Sequence, residues 1–252
     1  MVTEDSRDSE RGLAEFWTEY RDSSWRGARY LVRHPVALWR AVRAIRALPV
    51  VDADPSSTPG GMAVTDVVGR RGPLGTPARV LGNAALGVPP DPDDHLVGSS
   101  AQTLRRKIRS AERAGTTWHR VTDPAEKRRL LVLADDAERR HADPRYVVPD
   151  PDNEDLLDHD LWLVAEDVQG TPILLSVTPV DGTLATLRYF RTLGSGPQFS
   201  DARYLVTHAL VRELAARGVR WLLDTEPPGA QTNGVRQFQR MVGFRYVRVR
   251  LA

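Results

Sequence analysis

The chain has 252 residues, 41% of them hydrophobic and 27% charged, with a net charge of +2 and no cysteine. That length fits one large domain, or one domain with a helical extension, and the apolar content is enough for a real core. The missing cysteines exclude disulfides, thiolate metal sites and a cysteine nucleophile, and fit a cytoplasmic setting. No apolar run reaches the roughly 20 residues of a membrane span.

Residues 1–11 are acidic and polar, and are expected to form a disordered tail rather than a secretory signal. Residues 12–50 read as a basic amphipathic helical extension, broken near Pro35. Between Arg21 and Leu48 stand seven arginines (21, 26, 29, 33, 40, 43 and 46) and one acid, Asp22. Trp25, Tyr30, Leu31, Leu38, Trp39, Val42 and Ile45 form the apolar side. Such a segment either packs on the domain or lies on RNA or an anionic membrane; residues 21–46 are the candidate contact. Residues 51–61, rich in Pro, Ser, Asp and Gly, read as a linker to a domain over 62–252.

Within that domain, Met62–Val68 and Ala78–Leu86 are expected as short strands. Leu104 to Gly115 puts Arg105, Arg106, Lys107, Arg109 and Arg113 into about three helical turns. Leu104, Ile108 and Ala111 recur at the spacing that buries one helix face, and Gly115 supplies the stop. The arginines form either a solvated face or a surface for phosphates. A strand over Thr117–Arg120 follows, then a helix from Asp123 to about His141, with Asp123 as cap and Pro124 in the first position.

The loop over 143–160 carries Asp150, Asp152, Glu154, Asp155, Asp158 and Asp160 without a cation among them. It reads as solvated, or as an attractor for a cationic acceptor. Strands are then expected over Leu161–Val168, Pro172–Pro179 and Thr183–Thr192, with a tight turn at Asp181-Gly182. A helix over Ala202–Arg217, a strand over Val219–Thr225, a short helix over Gly234–Val242 and a strand over Phe244–Leu251 complete the chain. The six histidines show no ligand spacing, so no metal is expected. His208, on a stripe with Tyr204 and Arg212, is expected to face solvent. No serine-hydrolase elbow and no P-loop is present.

The tail order β-β-β-α-β-α-β resembles the back half of the GNAT N-acyltransferase fold. Three segments resemble the FemAB/FemX-like branch: the basic helix of 104–115, the helix and strand of 203–224, and Asn233 to Phe244, which is similar to a "G-x-x-x-F-K-x-x-F-G" element. The likeness covers roughly residues 95–252. It implies a single GNAT-like α/β fold: a mixed, mostly antiparallel sheet flanked by helices, with the N-terminal helical extension added. The departures are specific. Gln239 stands where those enzymes carry Lys, with Arg240 adjacent to substitute. The coiled-coil arm is absent, and only one GNAT-like unit fits where FemX-like enzymes have two. The acetyl-CoA loop is missing: Gly194 and Gly196 are followed by Pro197, Phe199, Ser200 and Asp201.

Acyl transfer from an activated donor to an amine needs alignment, proton removal and oxyanion stabilisation. The resemblance puts that reaction where two central strands splay, between Thr183–Thr192 and Val219–Thr225. Asp224 and Glu226 are the candidate carboxylates to orient or deprotonate the amine, and Tyr189 the candidate proton donor. Arg188 and Arg191 are expected on the opposite side from Tyr189. Backbone N–H groups of 193–196 are the oxyanion candidates. Ser200 and Arg203, at the helix start, and Asn233, Gln237 and Arg240 are candidates for donor phosphate or sugar; Phe238 is expected in the core.

The resemblance thus implies an N-acyltransferase without a tightly bound cofactor. Its donor is expected to be aminoacyl-tRNA, held by Arg105, Arg106, Lys107, Arg109 and Arg113, with acyl-CoA as the alternative donor. The acceptor is an amine on a small molecule, a peptide or a lipid-linked precursor. A non-catalytic GNAT-like module binding RNA or a membrane is the remaining reading.

Overall fold

The computed structural model describes residues 4–23, 28–72, 75–141, 143–227 and 229–252. Trp25 and Arg26 of the expected amphipathic segment lie outside them. The first helix, α1 (Glu4–Asp22), takes in residues 4–11, where the composition predicts disorder. Helices α2 (Ala28–Arg33) and α3 (Pro35–Ala47) follow, parted at His34. The break sits there because Pro35 has no N–H and fits a first helical position.

The expected linker is largely ordered into elements. Val50–Ala53 forms strand β1, paired parallel with the last strand, and α4 (Pro59–Gly69) begins before the linker should end. The strand expected over Met62–Val68 is therefore a helix. Thr58 caps it, its hydroxyl accepting from the Gly61 N–H at 3.2 Å, and Val64, Val67 and Val68 have helical rather than alternating spacing. The 78–86 segment divides into a short turn of helix, α5 (Ala78–Leu81), and strand β2 (Asn83–Gly87).

Helix α6 (Gln102–Arg113), strand β3 (Thr117–Val121) and helix α7 (Pro124–Arg139) match expectation, with Asp123 accepting from the N–H groups of Ala125 and Glu126. Strands β4 (Trp162–Glu166) and β5 (Pro172–Val177) come next, then β6 (Val180–Asp181). The strand expected over Thr183–Thr192 is two strands, β7 (Leu184–Leu187) and β8 (Tyr189–Thr192), which belong to different sheets. Helix α8 (Pro197–Ala215) starts five residues before the expected Ala202. Strand β9 (Trp221–Asp224), helix α9 (Asn233–Val242) and strand β10 (Arg245–Leu251) complete the fold.

One sheet has six strands in the order β1-β10-β2-β9-β7-β6, the other four in the order β3-β4-β5-β8. Strands β7 and β9 run parallel from Leu184↔Trp221 to Leu187↔Asp224. At Arg188 the chain leaves β9, and β8 joins β5 antiparallel, with Val177 opposite Tyr189. This is the splayed pair that a GNAT-like fold requires, and the chain has that single mixed α/β architecture.

The main core lies between the sheets and helices α6, α8 and α9, with Leu104, Ile108, Leu163, Leu174, Leu210 and Leu222 fully or nearly fully buried. Leu13, Phe16, Trp17 and Tyr30 belong to the same core. The N-terminal helices are thus a wall of the domain. Helix α7 covers the outer face of the four-stranded sheet, where Leu130, Leu131 and Ala134 meet Trp162, Leu175 and Tyr189.

Candidate functional site

Asp224 ends β9, paired with Leu187 at the last position before β7 turns away. It is only 7% exposed. Its Oδ2 accepts from Gln231 Nε2 at 2.8 Å and from Gln239 Nε2. The Tyr246 hydroxyl in turn donates to Gln231 Oε1 at 3.4 Å. Burial pushes the Asp224 carboxyl up to about 6, and the Glu226 charge adds to this; the backbone of Glu226 and the two glutamine amides work the other way. A carboxylate of that basicity is ionised at neutral pH yet can accept a proton.

Gln239 and Tyr246 are also part of the wall of a cleft of about 880 Å³. Helix α9 lines it with Asn233, Arg236, Gln237 and Arg240, and β10 with Arg245. The facing wall is α1, through Glu15, Thr18 and Glu19. One side therefore carries guanidinium groups and the other carboxylates. Arg21 of α1 spans the end, donating to Gln231 O at 2.7 Å and to Asn233 Oδ1 at 3.2 Å. A smaller groove of about 250 Å³ shares Arg240 and Arg245 with the cleft and runs to Ser100, Ala101 and Leu104 beside the start of α6.

The five cations expected to contact phosphate divide in two. Arg105 donates to the carbonyls of Leu96 and Gly98, so it closes the loop before α6. Lys107 pairs with Asp201 of α8 at 2.7 Å. Arg106, Arg109 and Arg113 are exposed, at the i, i+3, i+7 spacing of one helix face. Arg106 and Arg109 have no ion-pair partner among the described residues.

The start of α8 departs from expectation. Because the helix begins at Pro197, the Ser200 N–H already bonds Gly196 O at 3.1 Å and is not available to a ligand. Arg203 lies over the Phe238 ring at 4.8 Å, with its Nε buried and unpartnered among the described residues. A groove of about 390 Å³ does exist there, lined by 195–199 and by Ser110, Ala111 and Ala114 of α6. The Phe199 ring crosses it against Gly194. Of the oxyanion candidates, the Leu193 N–H is taken by Ile173 O at 2.9 Å.

Tyr189 and Asp224 are not brought together. Tyr189 is on the α7 side of its sheet, and burial and the nearby Glu138 push its phenol up. Arg191 shares that side rather than facing away: it pairs with Glu138 at 3.3 Å and its guanidinium lies 5.9 Å from the Tyr189 ring centroid. Residues two apart on a strand share a face. Arg188 instead holds Asp155 of the acidic loop at 2.8 Å. Glu226 is exposed just past β9, and its carbonyl accepts from Gln231 at 3.3 Å.

His208 is half-buried rather than on an outward face. It stacks on His95, the two Nδ1 atoms 3.4 Å apart, and burial, His95 and Arg212 bring it down to about 4. Tyr204, expected on the same outward stripe, is buried against Phe238. The residues missed by sequence reasoning are Gln231, Tyr246, Glu15 and Glu19. Gln239 is visible in the sequence only as a departure from the family lysine. It, and not Arg240, fills that buried position.

No family model and no curated protein matches this sequence. Solved structures similar to the chain include FemX, with 10% identity over 68% of this chain and 60% of that one, at a TM-score of 0.49. The DUF2156 C-terminal domain of an Agrobacterium fabrum protein named for lysylphosphatidylglycerol synthesis has 16% identity over 66% and 58%, at 0.48. L-PGS from Bacillus licheniformis has 14% identity over 66% and 57%, at 0.46. The chain spans about three fifths of the length of these structures. Likeness at that level carries no argument by itself, and both fold and chemistry rest on the residues of this chain.

Proposed function

We propose that the protein is an N-acyltransferase that moves an activated aminoacyl group from tRNA to an amine. One observation carries this reading. Arg240 and Arg245 line both the 880 Å³ cleft and the groove that leads to the start of α6. Phosphates resting on the exposed Arg106, Arg109 and Arg113 of α6 would have further cations, Arg240 and Arg245, in the groove beside that helix's start, and the cleft these two also line has a wall tied to Asp224 through Gln239.

The parts divide as follows. Arg240 holds the last phosphate, and Asn233 and Gln237 the terminal sugar. Glu15 and Glu19 face the ammonium of the aminoacyl group or of the acceptor. Gln239, its amide N–H fixed on Asp224, offers its carbonyl oxygen to the attacking amine. Asp224 takes up the proton that the amine loses. The amine nitrogen forms the new amide bond, and the ribose oxygen leaves with the electron pair of the broken ester bond and takes up the proton released by Asp224, ending as a hydroxyl. The acceptor is an amine on a small molecule, a peptide or a lipid-linked precursor.

An acyl-CoA donor would place its phosphates at the start of α8. That entrance has a proline without an N–H, the Phe199 ring over Gly194, and the Asp201 carboxylate held by Lys107. Those features favour tRNA. The test is label transfer from a mixed pool of radiolabelled aminoacyl-tRNAs to a panel of amines, beside an acyl-CoA panel. RNase-sensitive transfer supports the proposal. Transfer from acyl-CoA that survives RNase, or no binding of tRNA at all, overturns it.

A further inference from the structure

The ridge formed by α2 and α3 has an outer face that no described element covers. Val32 is 78% exposed, Val36 61% and Trp39 61%. They are spaced i, i+4, i+7, and Arg43 continues the line at i+11, its guanidinium 5.7 Å from the Trp39 ring centroid. The hydrogen-bond ladder runs through the junction: the His34 N–H bonds Tyr30 O at 3.0 Å and the Leu38 N–H bonds His34 O at 2.9 Å. The stripe is thus one surface across both helices. Arg29, Arg33, Arg40 and Arg46 flank it, and no acid occurs from Ala28 to Ala47. The inner face is spent on the domain, with Tyr30, Ala41 and Ala44 buried and α1 packed against α3.

We infer that this ridge docks peripherally on an anionic phospholipid leaflet. The pattern asks for a partner that is apolar and anionic at once. A nucleic-acid backbone would satisfy the arginines and leave Val32 and Val36 in water. A second copy of the chain would bring one row of arginines against another. A bilayer interface takes both: the valines and Trp39 enter the acyl boundary while the guanidinium groups remain at the phosphates. Trp39 is a residue type that concentrates at that depth. Among the described residues no helix is long and apolar enough to cross a membrane, so this contact lies on the surface. The inference stands apart from the donor reading, since it concerns other helices and is read without activity.

The test is co-sedimentation of the whole protein with vesicles of phosphatidylcholine, and of phosphatidylcholine mixed with phosphatidylglycerol, across a salt series. Binding to the mixed vesicles, absent on phosphatidylcholine alone and weakened by salt, is expected. Trp39→Ala should weaken it about tenfold, through the lost burial of one large apolar side chain. Arg40→Gln with Arg43→Gln should weaken it about 25-fold, about fivefold for each arginine. These side chains are exposed, so unchanged circular dichroism and thermal midpoint will separate lost docking from lost folding. Failure to bind mixed vesicles overturns the inference. So does unchanged binding in both variants, or a ridge that binds tRNA and no vesicle.

Discussion

Replacing Asp224 by asparagine should change how stability depends on pH. Burial holds the folded carboxyl at about 6 against an ordinary 3.8. Between those values the native chain keeps a proton that the unfolded chain has released. Stability is therefore fully present below the unfolded value and falls as pH rises through about 6. Two units at 1.36 kcal/mol each give a loss on the order of 3 kcal/mol at pH 7. The side-chain amide introduced by Asp224→Asn keeps an oxygen for the amides of Gln231 and Gln239 and does not titrate. The variant should thus gain on the wild type as pH rises from about 4 to about 7, although the proposed proton acceptor has been removed. The assay is the urea midpoint at several pH values for both proteins, plotted as a difference. A difference that is flat with pH would refute the buried, raised carboxyl. Transfer activity should be lost in the variant at every pH, and in the wild type should rise through about pH 6.

Other expectations follow from the same geometry. His208→Gln should flatten the acid side of the profile. The wild-type imidazole, pushed down to about 4, stays neutral in the fold while the unfolded chain takes up a proton below about 6.5, so wild-type stability falls with falling pH; urea midpoints at about pH 5 and about pH 7.5 in each protein check this. Arg105→Ala should cost about 1–3 kcal/mol of stability, because it leaves the Leu96 and Gly98 carbonyls without their charged donor, and should not selectively remove RNA binding. Thermal melts beside tRNA titrations separate the two effects. Glu15→Gln with Glu19→Gln, both exposed, should leave the melt unchanged and raise KM for the substrate bearing an ammonium by about tenfold, a loss in the range for interactions with a charged group; an unchanged KM would remove α1 from the binding wall.

Much of the fold was legible in the sequence because turn residues and periodicity are local. Asp123-Pro124 opened α7, Asp181-Gly182 turned β6 into β7, and Gly243 ended α9 in the left-handed region. What failed depended on pairing partners far away in the chain. Val50–Ala53 has too little local signal to read as a strand until β10 lies beside it. Thr183–Thr192 is continuous in sequence, and only the positions of β9 and β5 show that it changes sheets at Arg188. The candidate site was legible in part for the same reason. Asp224, Asn233, Gln237 and Arg240 could be chosen from the ends of elements, and they fall on or beside one cleft. The opposite wall comes from α1, more than 200 residues earlier. The exposed arginines of α6 could not be told from those that hold loops. Helical spacing separates Arg106 from Arg105 only when the neighbour of each face is known.

The most direct test of the account is tRNA binding by fluorescence anisotropy across a salt series, for the wild type and for Arg106→Ala/Arg109→Ala/Arg113→Ala. The exposed stripe predicts binding that weakens steeply with salt, and a slope reduced by about two to three in the triple variant, one for each lost phosphate contact. Absence of tRNA binding in the wild type, or equal affinity and slope in the variant, would contradict the claim that this surface delivers the donor to the cleft.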